Sequence, residues 1–305
     1  MPGSRASDRR LRGTLLRIAG RIDLDLVVRS HGWYDLAPFA YDDGKRELTY
    51  LAEAGGLPIR ITVRETAEGL AVSSSRGAPA GAVRASVCRV LDLGAELTSF
   101  HARCAEAQAR ADGFGWIALR GGGRILRAPT LFEDAVKVLA TTNCSWALTR
   151  LIVRDLIALH GNGGTFPTSA SVAAHPEGRL RKEAHLGYRA PYLAAFAERV
   201  ASGKLDLSRW EDPARPAAEV EEEILLENGF GPYAAASLGR LLGRHAKLGL
   251  DSWSRKKAAE LRFRGRKVPD SRIEKVYSRF GDWAGLAFWL DVTRDWHEGR
   301  ERLWP

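Results

Sequence analysis

The pattern of apolar and polar positions changes its period at about residue 92. Before that point, short runs alternate between apolar and polar residues or fill with apolar ones, as β-strands do. These runs cover residues 22–28, 47–51, 59–63 and 69–72, and turn-forming sequences at 42–44 and 54–56 separate some of them. Several short strands in succession predict an antiparallel sheet.

Beyond residue 92 the apolar positions recur with a helical period. Helices are predicted at 97–110, 130–141, 145–160 and 190–201, and again after residue 251. Thr130 and Glu133 have the spacing of a capping box, in which each side chain binds the other residue's amide. The predicted fold class is α+β: a loose basic arm at 1–14, a sheet domain at 15–92 and a helical region at 93–305.

The helical region contains two helices joined by a glycine-containing turn, at about 219–251. The turn consists of Gly229, Phe230 and Gly231, and Pro232 opens the second helix, where its missing N–H has no helical partner to lose. Glycines allow left-handed angles and a close approach of the backbone to a ligand, and unpaired N–H groups at a helix N-terminus favour a phosphate. The alternative interpretation is an ordinary helical hairpin that binds nothing.

The formal net charge is +9, and a basic segment follows the hairpin directly. Between residues 252 and 281, ten Lys or Arg side chains, among them Arg255, Lys256 and Lys257, outnumber three acidic ones. A segment of this kind indicates a polyanionic partner such as nucleic acid, bound through phosphates in a salt-dependent way. The alternative is a solvated helix face in a protein that is merely basic.

Other classes of protein are disfavoured. Cys88, Cys104 and Cys144 form no paired spacing, which favours a reducing compartment, and we expect a cytoplasmic protein associated with the nucleoid. The seven histidines lack metal-binding spacing, so no metal bound by side chains is expected. No apolar run reaches the length that spans a membrane, and no apolar segment of a signal peptide follows the basic arm.

One carboxylate lies where phosphate binding alone would gain nothing from it. Asp251 follows Gly231 by 20 residues and directly precedes the basic segment. Cleavage of the bond between a base and its sugar passes through an oxocarbenium-like state, which a fixed carboxylate stabilises. Asp251 could instead cap the next helix, or do both. Trp253 could stack against a flipped base, although most of the nine tryptophans are expected in the core.

Four segments in the same order resemble the helix-hairpin-helix superfamily of base-excision DNA glycosylases, in particular its 8-oxoguanine and 3-methyladenine branches. They are the stretches 139–143, 186–192 and 283–287 and the hairpin with Asp251, and residues 23–30 resemble the sheet domain of the 8-oxoguanine branch. The resemblance implies a two-lobed helical region. It also implies roles for individual residues: Asn143 fills the gap left by the flipped base, Tyr188 wedges into the stack, Arg189 touches the orphaned base, and Gly229, Phe230 and Gly231 bind the DNA backbone.

The departures from the family pattern carry further implications. Tyr233 stands where bifunctional members have a lysine, so no Schiff base with the sugar can form there. Phe288 replaces a glutamine and Leu148 an arginine of the 8-oxoguanine branch. Tyr233, Trp253 and Phe288 would line an aromatic slot that suits an alkylated, positively charged purine. The resemblance also implies no required cofactor, and a structural K⁺ or Na⁺ on hairpin carbonyls near Gly229 and Gly231.

The sequence therefore predicts a monomeric, monofunctional DNA N-glycosylase with Asp251 as its key carboxylate. Its partner would be double-stranded DNA with a damaged base, alkylated purines preferred, and no membrane. The alternatives are an 8-oxoguanine glycosylase, a non-catalytic protein that binds damaged DNA, and a helical interaction protein that does not bind DNA.

Overall fold

The computed structural model describes residues 12–16, 22–109 and 113–297. A five-stranded antiparallel sheet forms its N-terminal part, in the order β1-β5-β4-β3-β2. The strands are β1 (Arg12–Leu16), β2 (Ala40–Asp42), β3 (Glu47–Ala54), β4 (Leu57–Thr66) and β5 (Gly69–Ser74). In the β3–β4 hairpin the register runs from Glu47 opposite Arg64 to Ala54 opposite Leu57. The α+β class and the strands expected at 47–51, 59–63 and 69–72 are confirmed.

The strand expected at 22–28 is wrong, because Leu24–Val28 forms a short helix, α1. Asp23 caps this helix by accepting a hydrogen bond from the Leu26 amide at 3.1 Å. All four apolar residues of the helix are buried. A short run that is buried on every side carries no clear period, so alternation cannot distinguish a strand from a helix there.

The boundaries of the sheet domain also differ from expectation. The first strand begins at Arg12, inside the segment expected to be a loose arm at 1–14, whose residues 1–11 lie outside the described part. The segment before residue 92 ends in a helix, α2 (Ala80–Val90), and not in strands. Its buried residues are Val83, Val87 and Val90, whose spacing is that of a helix face.

The rest of the described chain is mainly helical. The helices are α3 (Thr98–Ala109), α4 (Gly115–Arg120), α5 (Leu131–Thr141), α6 (Trp146–His160), α7 (Ser169–Ala173), α8 (Glu177–Lys182), α9 (Ala190–Ala201), α10 (Ser208–Glu211), α11 (Ala217–Leu226), α12 (Pro232–Leu241), α13 (Ser252–Phe263), α14 (Asp270–Tyr277), α15 (Ala284–Val292) and α16 (Arg294–His297), with short 3₁₀ helices at Gly32–Asp35, Gly187–Arg189 and Ser278–Trp283. The helices expected at 97–110, 130–141, 145–160 and 190–201 are confirmed. In the described ranges, no helix has both the length and the apolar character needed to cross a bilayer.

Helix α5 is buried from Leu131 to Ala140 although it contains charged residues. Thr130 caps it by accepting the Glu133 amide at 3.2 Å, as expected. The Glu133 carboxylate does not reach back to Thr130, since it binds Lys137 Nζ at 2.6 Å. The expected capping box is therefore only half formed, and an ion pair lies inside the core instead.

The hairpin consists of α11, the turn 227–231 and α12. Gly229 has a φ of 92°, and a Cβ there would lie 2.8 Å from Leu139 Cδ1 and 2.9 Å from Tyr192 Cδ2. Only glycine suits both this angle and this contact with α5 and α9. Phe230 is 2% exposed and packs against Phe196, with ring centroids 5.2 Å apart. The turn is thereby fixed against the core, and the N-terminus of α12 has a defined direction.

Three buried histidines make the fold sensitive to acid. Burial lowers the pKa of His31 and of His245 to about 3, and that of His297 to about 4, from an ordinary value of 6.5. Between about pH 6.5 and pH 4 the unfolded chain therefore binds more protons than the folded chain. The stability that these groups contribute is complete above pH 6.5 and is lost as the pH falls towards 4 and 3.

Replacing His245 by phenylalanine should flatten this pH dependence. His245 stacks on Trp283 with ring centroids 5.2 Å apart, and its buried Nδ1 has no hydrogen-bond partner among the described residues. Phenylalanine keeps the packing and removes one titrating group, so the slope of the unfolding free energy between about pH 6 and pH 4 should fall by about 1.4 kcal/mol per pH unit. Urea unfolding at several pH values measures the slope. An unchanged slope would mean that His245 binds its proton equally well in both states.

Candidate active site

Helix α12 of the hairpin borders a cavity of about 230 Å³. The other walls come from residues 31–33, the end of α5 and the loop after it, the start of α13, and the helices α15 and α16. The volume lies below the ~300 Å³ at which pockets for drug-sized ligands begin, so the cavity suits one small ligand.

Asp251 both lines this cavity and caps α13. Its Oδ1 accepts the Ser254 amide at 2.7 Å, and Ser254 Oγ accepts the Asp251 amide at 2.9 Å, which completes a capping box. The box fixes the orientation of the half-buried carboxylate. Its Oδ2 has no hydrogen-bond partner in the described part of the chain, so one oxygen remains available to a ligand.

Six aromatic side chains line the cavity: Trp33, Trp146, Tyr233, Trp253, Trp289 and Trp296. Trp253 stacks on Trp296 with ring centroids 5.1 Å apart. The indole N–H groups of Trp33, Trp146 and Trp289 donate to Asp134, Asp35 and the Ser30 carbonyl at 2.7–2.8 Å. These bonds fix the rings, so the cavity offers rigid aromatic walls of the kind against which a flat ligand stacks.

Two polar side chains line the cavity and are more deeply buried than Asp251. Arg240 is 7% exposed; its Nη2 donates to the Leu248 carbonyl at 2.9 Å, whereas its Nε has no partner among the described residues. Burial lowers the pKa of Arg240 to about 10, so the side chain stays charged at neutral pH. His31 Nε2 lies 2.6 Å from the Leu126 carbonyl and therefore carries the proton, which leaves Nδ1 as an acceptor.

Comparison with known proteins identifies the architecture around this cavity. No protein-family model matches the sequence, and no curated protein matches it significantly. Solved structures do match: MBOgg1 in complex with a low-affinity DNA ligand aligns with a TM-score of 0.71 over 90% of this chain and 92% of that chain, at 19% identity. The chain has the fold of the DNA glycosylases.

Two further glycosylase structures align over similar lengths. The 3-methyladenine DNA glycosylase from Archaeoglobus fulgidus gives a TM-score of 0.69 at 16% identity, over 91% of this chain and 97% of that one. The 8-oxoguanine glycosylase/lyase from Clostridium acetobutylicum, in complex with double-stranded DNA containing cytosine opposite 8-oxoguanine, gives 0.67 at 17% identity, over 88% and 93%. Both branches named from the sequence therefore share this fold.

In this glycosylase fold, Asn143 and Tyr188 lie close together at the surface. Asn143 is exposed in the loop between α5 and α6, where its φ is 47°. Tyr188 is 49% exposed, and its hydroxyl donates to the Thr142 carbonyl, next to Asn143, at 3.5 Å. Two side chains that the sequence assigns to one role, entry into a duplex, are thus brought to one place.

Arg189 needs a correction, because it is not available to touch an orphaned base. It is 3% exposed, and its Nε donates to the Thr142 carbonyl at 3.0 Å, as does its Nη2. Its guanidinium carbon also lies 4.5 Å from the centroid of the Tyr188 ring. Arg189 therefore holds Tyr188 and the loop 142–143 in position and does not contact a ligand itself.

Phe288 also needs a correction, since it does not line the cavity. Its side chain is fully buried and packs edge-on against Tyr277, with ring centroids 5.2 Å apart. The next residue along α15, Trp289, lines the cavity instead. Tyr233 and Trp253 lie in the cavity wall beside Asp251, where the sequence expects them.

The groups expected to bind the DNA backbone differ in how available they are. The Phe230 amide already donates to the Glu227 carbonyl, and the Gly231 carbonyl accepts the Ala235 amide at 2.9 Å, which weakens the case for Phe230 as a phosphate donor. Gly231 faces open space. Within the described ranges, no group of three or more His, Cys, Asp or Glu side chains could hold a metal ion.

The basic residues after Asp251 are largely paired with acids. Arg255 binds Asp270 through two hydrogen bonds of 2.8 Å. The side chain of Lys257 is 15% exposed and lies 3.7 Å from Asp295, so an expected phosphate contact does not fit its position. Lys256 is 79% exposed and only 4.0 Å from Glu260, which leaves it accessible to a phosphate.

Sequence reasoning missed Arg240 and His31. A signal for Arg240 was present, because Tyr233, Ser237 and Arg240 follow the i, i+4, i+7 spacing of one helix face, and all three line the cavity. His31 had no such signal, since it reaches the cavity from the N-terminal part of the chain.

Proposed function

We propose that this protein is a DNA N-glycosylase that releases a damaged base by hydrolysis. The observation that carries the proposal is the half-buried Asp251 carboxylate in the wall of an aromatic cavity beside the hairpin. The activities of proteins with this fold support the same conclusion, because MBOgg1 and the Clostridium glycosylase/lyase bind DNA in their structures.

The proposed cycle begins with a duplex held at the N-terminus of α12 and by exposed basic side chains such as Lys256. Tyr188 wedges into the stack and Asn143 fills the vacated space while the base turns into the cavity. Extrusion costs least for a weakly paired base, which supplies part of the selectivity. A K⁺ or Na⁺ ion on the hairpin is part of this proposal, and the Gly229 carbonyl suits it, since it accepts no backbone hydrogen bond in the described chain.

Bond cleavage then relies on Asp251. The N-glycosidic bond breaks with its electron pair leaving on the base, and positive charge develops at the sugar carbon C1′. The free Oδ2 of Asp251 stabilises that charge in surroundings of low polarity. Water adds at C1′ and loses a proton, the base gains one, and the products are the free base and an abasic site.

Water is the proposed nucleophile because the cavity offers no amine. Tyr233 occupies the position at which bifunctional relatives have lysine, and no lysine lines the cavity in the described part of the chain. Burial raises the pKa of Tyr233 above its ordinary value, so its hydroxyl stays protonated at neutral pH and is a poor nucleophile.

A panel of duplexes, each with one defined lesion, tests the function. We expect free base from at least one lesion, and strand breaks only after alkali treatment, because hydrolysis leaves the abasic site uncleaved. Chromatography measures the free base, and denaturing gels with and without alkali measure the breaks. No free base from any lesion would refute the glycosylase proposal, and strand breaks without alkali would refute the hydrolytic mechanism. Tight lesion binding without release would support a non-catalytic binding protein.

A further inference from the structure

We propose that Arg240 and His31 select a neutral 6-oxopurine as the released base and disfavour purines that carry a positive charge. The inference rests on the proposed glycosylase function and names the class of base that the cavity accepts. It departs from the preference for alkylated purines that the sequence suggests, because alkylation at N3 or N7 gives a cationic base.

The first argument is charge. Arg240 is 7% exposed, and in the described structure its one hydrogen bond goes to a neutral carbonyl, that of Leu248. Asp251 is the acidic side chain in the cavity wall, and it offsets only part of this charge, since burial still lowers the pKa of Arg240. A cationic base would therefore meet a charge of its own sign in a medium of low polarity, where repulsion is strong.

The second argument is that part of the aromatic surface is already used. The guanidinium carbon of Arg240 lies 4.7 Å from the centroid of the Trp289 ring, which is a cation–π contact within the protein. The face of Trp289 is thus occupied by a cation of the chain itself. An aromatic slot attracts a cationic base only through free ring faces, so the sequence argument for alkylated purines loses one of its walls.

The third argument is hydrogen bonding. The Nε–H of Arg240 is buried without a partner in the described chain, and such a group binds an acceptor strongly. The Nδ1 atom of His31 is an acceptor in the same cavity, and the charge of Arg240 acts on His31. A 6-oxopurine offers the matching pair, the acceptor O6 and the adjacent donor N1–H, whereas a 6-aminopurine offers a donor where Arg240 also donates.

Two duplexes that differ in one base separate these effects. One carries hypoxanthine and the other 7-methylguanine, which has the same O6 and N1–H edge but a positive charge. Release by the full chain is measured for each and divided by spontaneous loss from the same duplex. We expect a larger acceleration for hypoxanthine, and we expect Arg240→Met to shift the ratio of the two accelerations towards 7-methylguanine by roughly 10- to 100-fold. Because both rates come from one sample, the ratio does not depend on the folded fraction.

Matched variants complete the test. Arg244 lies just beyond α12, donates to the carbonyls of Arg215, Trp210 and Asp212 and does not line the cavity, so Arg244→Met should leave the ratio unchanged. His31→Phe should reduce both accelerations and leave their ratio unchanged, because both bases present the same edge. A ratio unmoved by Arg240→Met, or moved equally by Arg244→Met, would overturn the inference while leaving the glycosylase function intact. Absence of release from every duplex, the lesion panel included, would instead refute the function itself.

Discussion

Replacing Asp251 by asparagine is expected to slow base release by about 10²- to 10³-fold while leaving the fold intact. Asparagine caps helices as well as aspartate does, so its side-chain oxygen can still accept the Ser254 amide that Asp251 binds at 2.7 Å. The variant therefore loses the negative charge and keeps the position of the group. Single-turnover release with enzyme in excess, on the duplex that the unaltered protein processes fastest, measures the effect.

Ser254→Ala is the matched control for this variant. It removes the hydrogen bond from the Asp251 amide to Ser254 Oγ, which is 2.9 Å long, and keeps the carboxylate. We expect a small loss of stability, on the order of 1 kcal/mol, and most of the rate retained. Equal losses of rate in the two variants would show that Asp251 acts through the cap and not through its charge. Unchanged release in Asp251→Asn would remove the carboxylate from the mechanism.

The hairpin and Asp251 could be found from the sequence because their evidence is local. Gly229 is required by its own left-handed φ, Pro232 by its place at the first turn of α12, and Asp251 by the helix that follows it. Each of these features depends on neighbours within a few positions. Helices such as α5 and α6 were predictable for the same reason, since their caps Thr130 and Ser145 precede a helical apolar pattern.

The inner wall of the cavity depends on contacts between distant parts of the chain. His31 and Trp33 reach Arg240 and Trp289 from the opposite end of the sequence, and no local spacing announces that meeting. Helix α15 shows a related limit: nearly every residue from Ala284 to Val292 is buried, so its period does not say which side chain faces the cavity. Phe288 and Trp289 were therefore indistinguishable by pattern, and packing against Tyr277 decides between them.

Removal of the buried charge of Lys137 is expected to destabilise the protein by about 3–5 kcal/mol. The Lys137 side chain is fully buried and that of Glu133 is 2% exposed, so Lys137→Met leaves a carboxylate without its partner inside α5. Burial already raises the pKa of Glu133 to about 7, and loss of the lysine should raise it further. Because the folded state then binds a proton more tightly than the unfolded state, the variant's deficit should grow as the pH rises from about 5 to 8. Urea unfolding across this range measures it.

A second substitution decides whether the charge or the packing of Lys137 matters. In the double variant Lys137→Met with Glu133→Leu, no unpaired charge remains, so we expect most of the stability to return and its extra dependence on pH to disappear. Arg179→Met gives the exposed comparison, since Arg179 and Glu183 have the same i, i+4 spacing with side chains 44% exposed, and little measurable change is expected there. If the double variant stays as unstable as Lys137→Met, the methylene packing of Lys137 over the Phe39 ring, where Nζ lies 4.7 Å from the centroid, outweighs its charge. In that case Trp33, held by the neighbouring Asp134 on α5, should lose its fixed position in the cavity wall as well, because the same helix supports both.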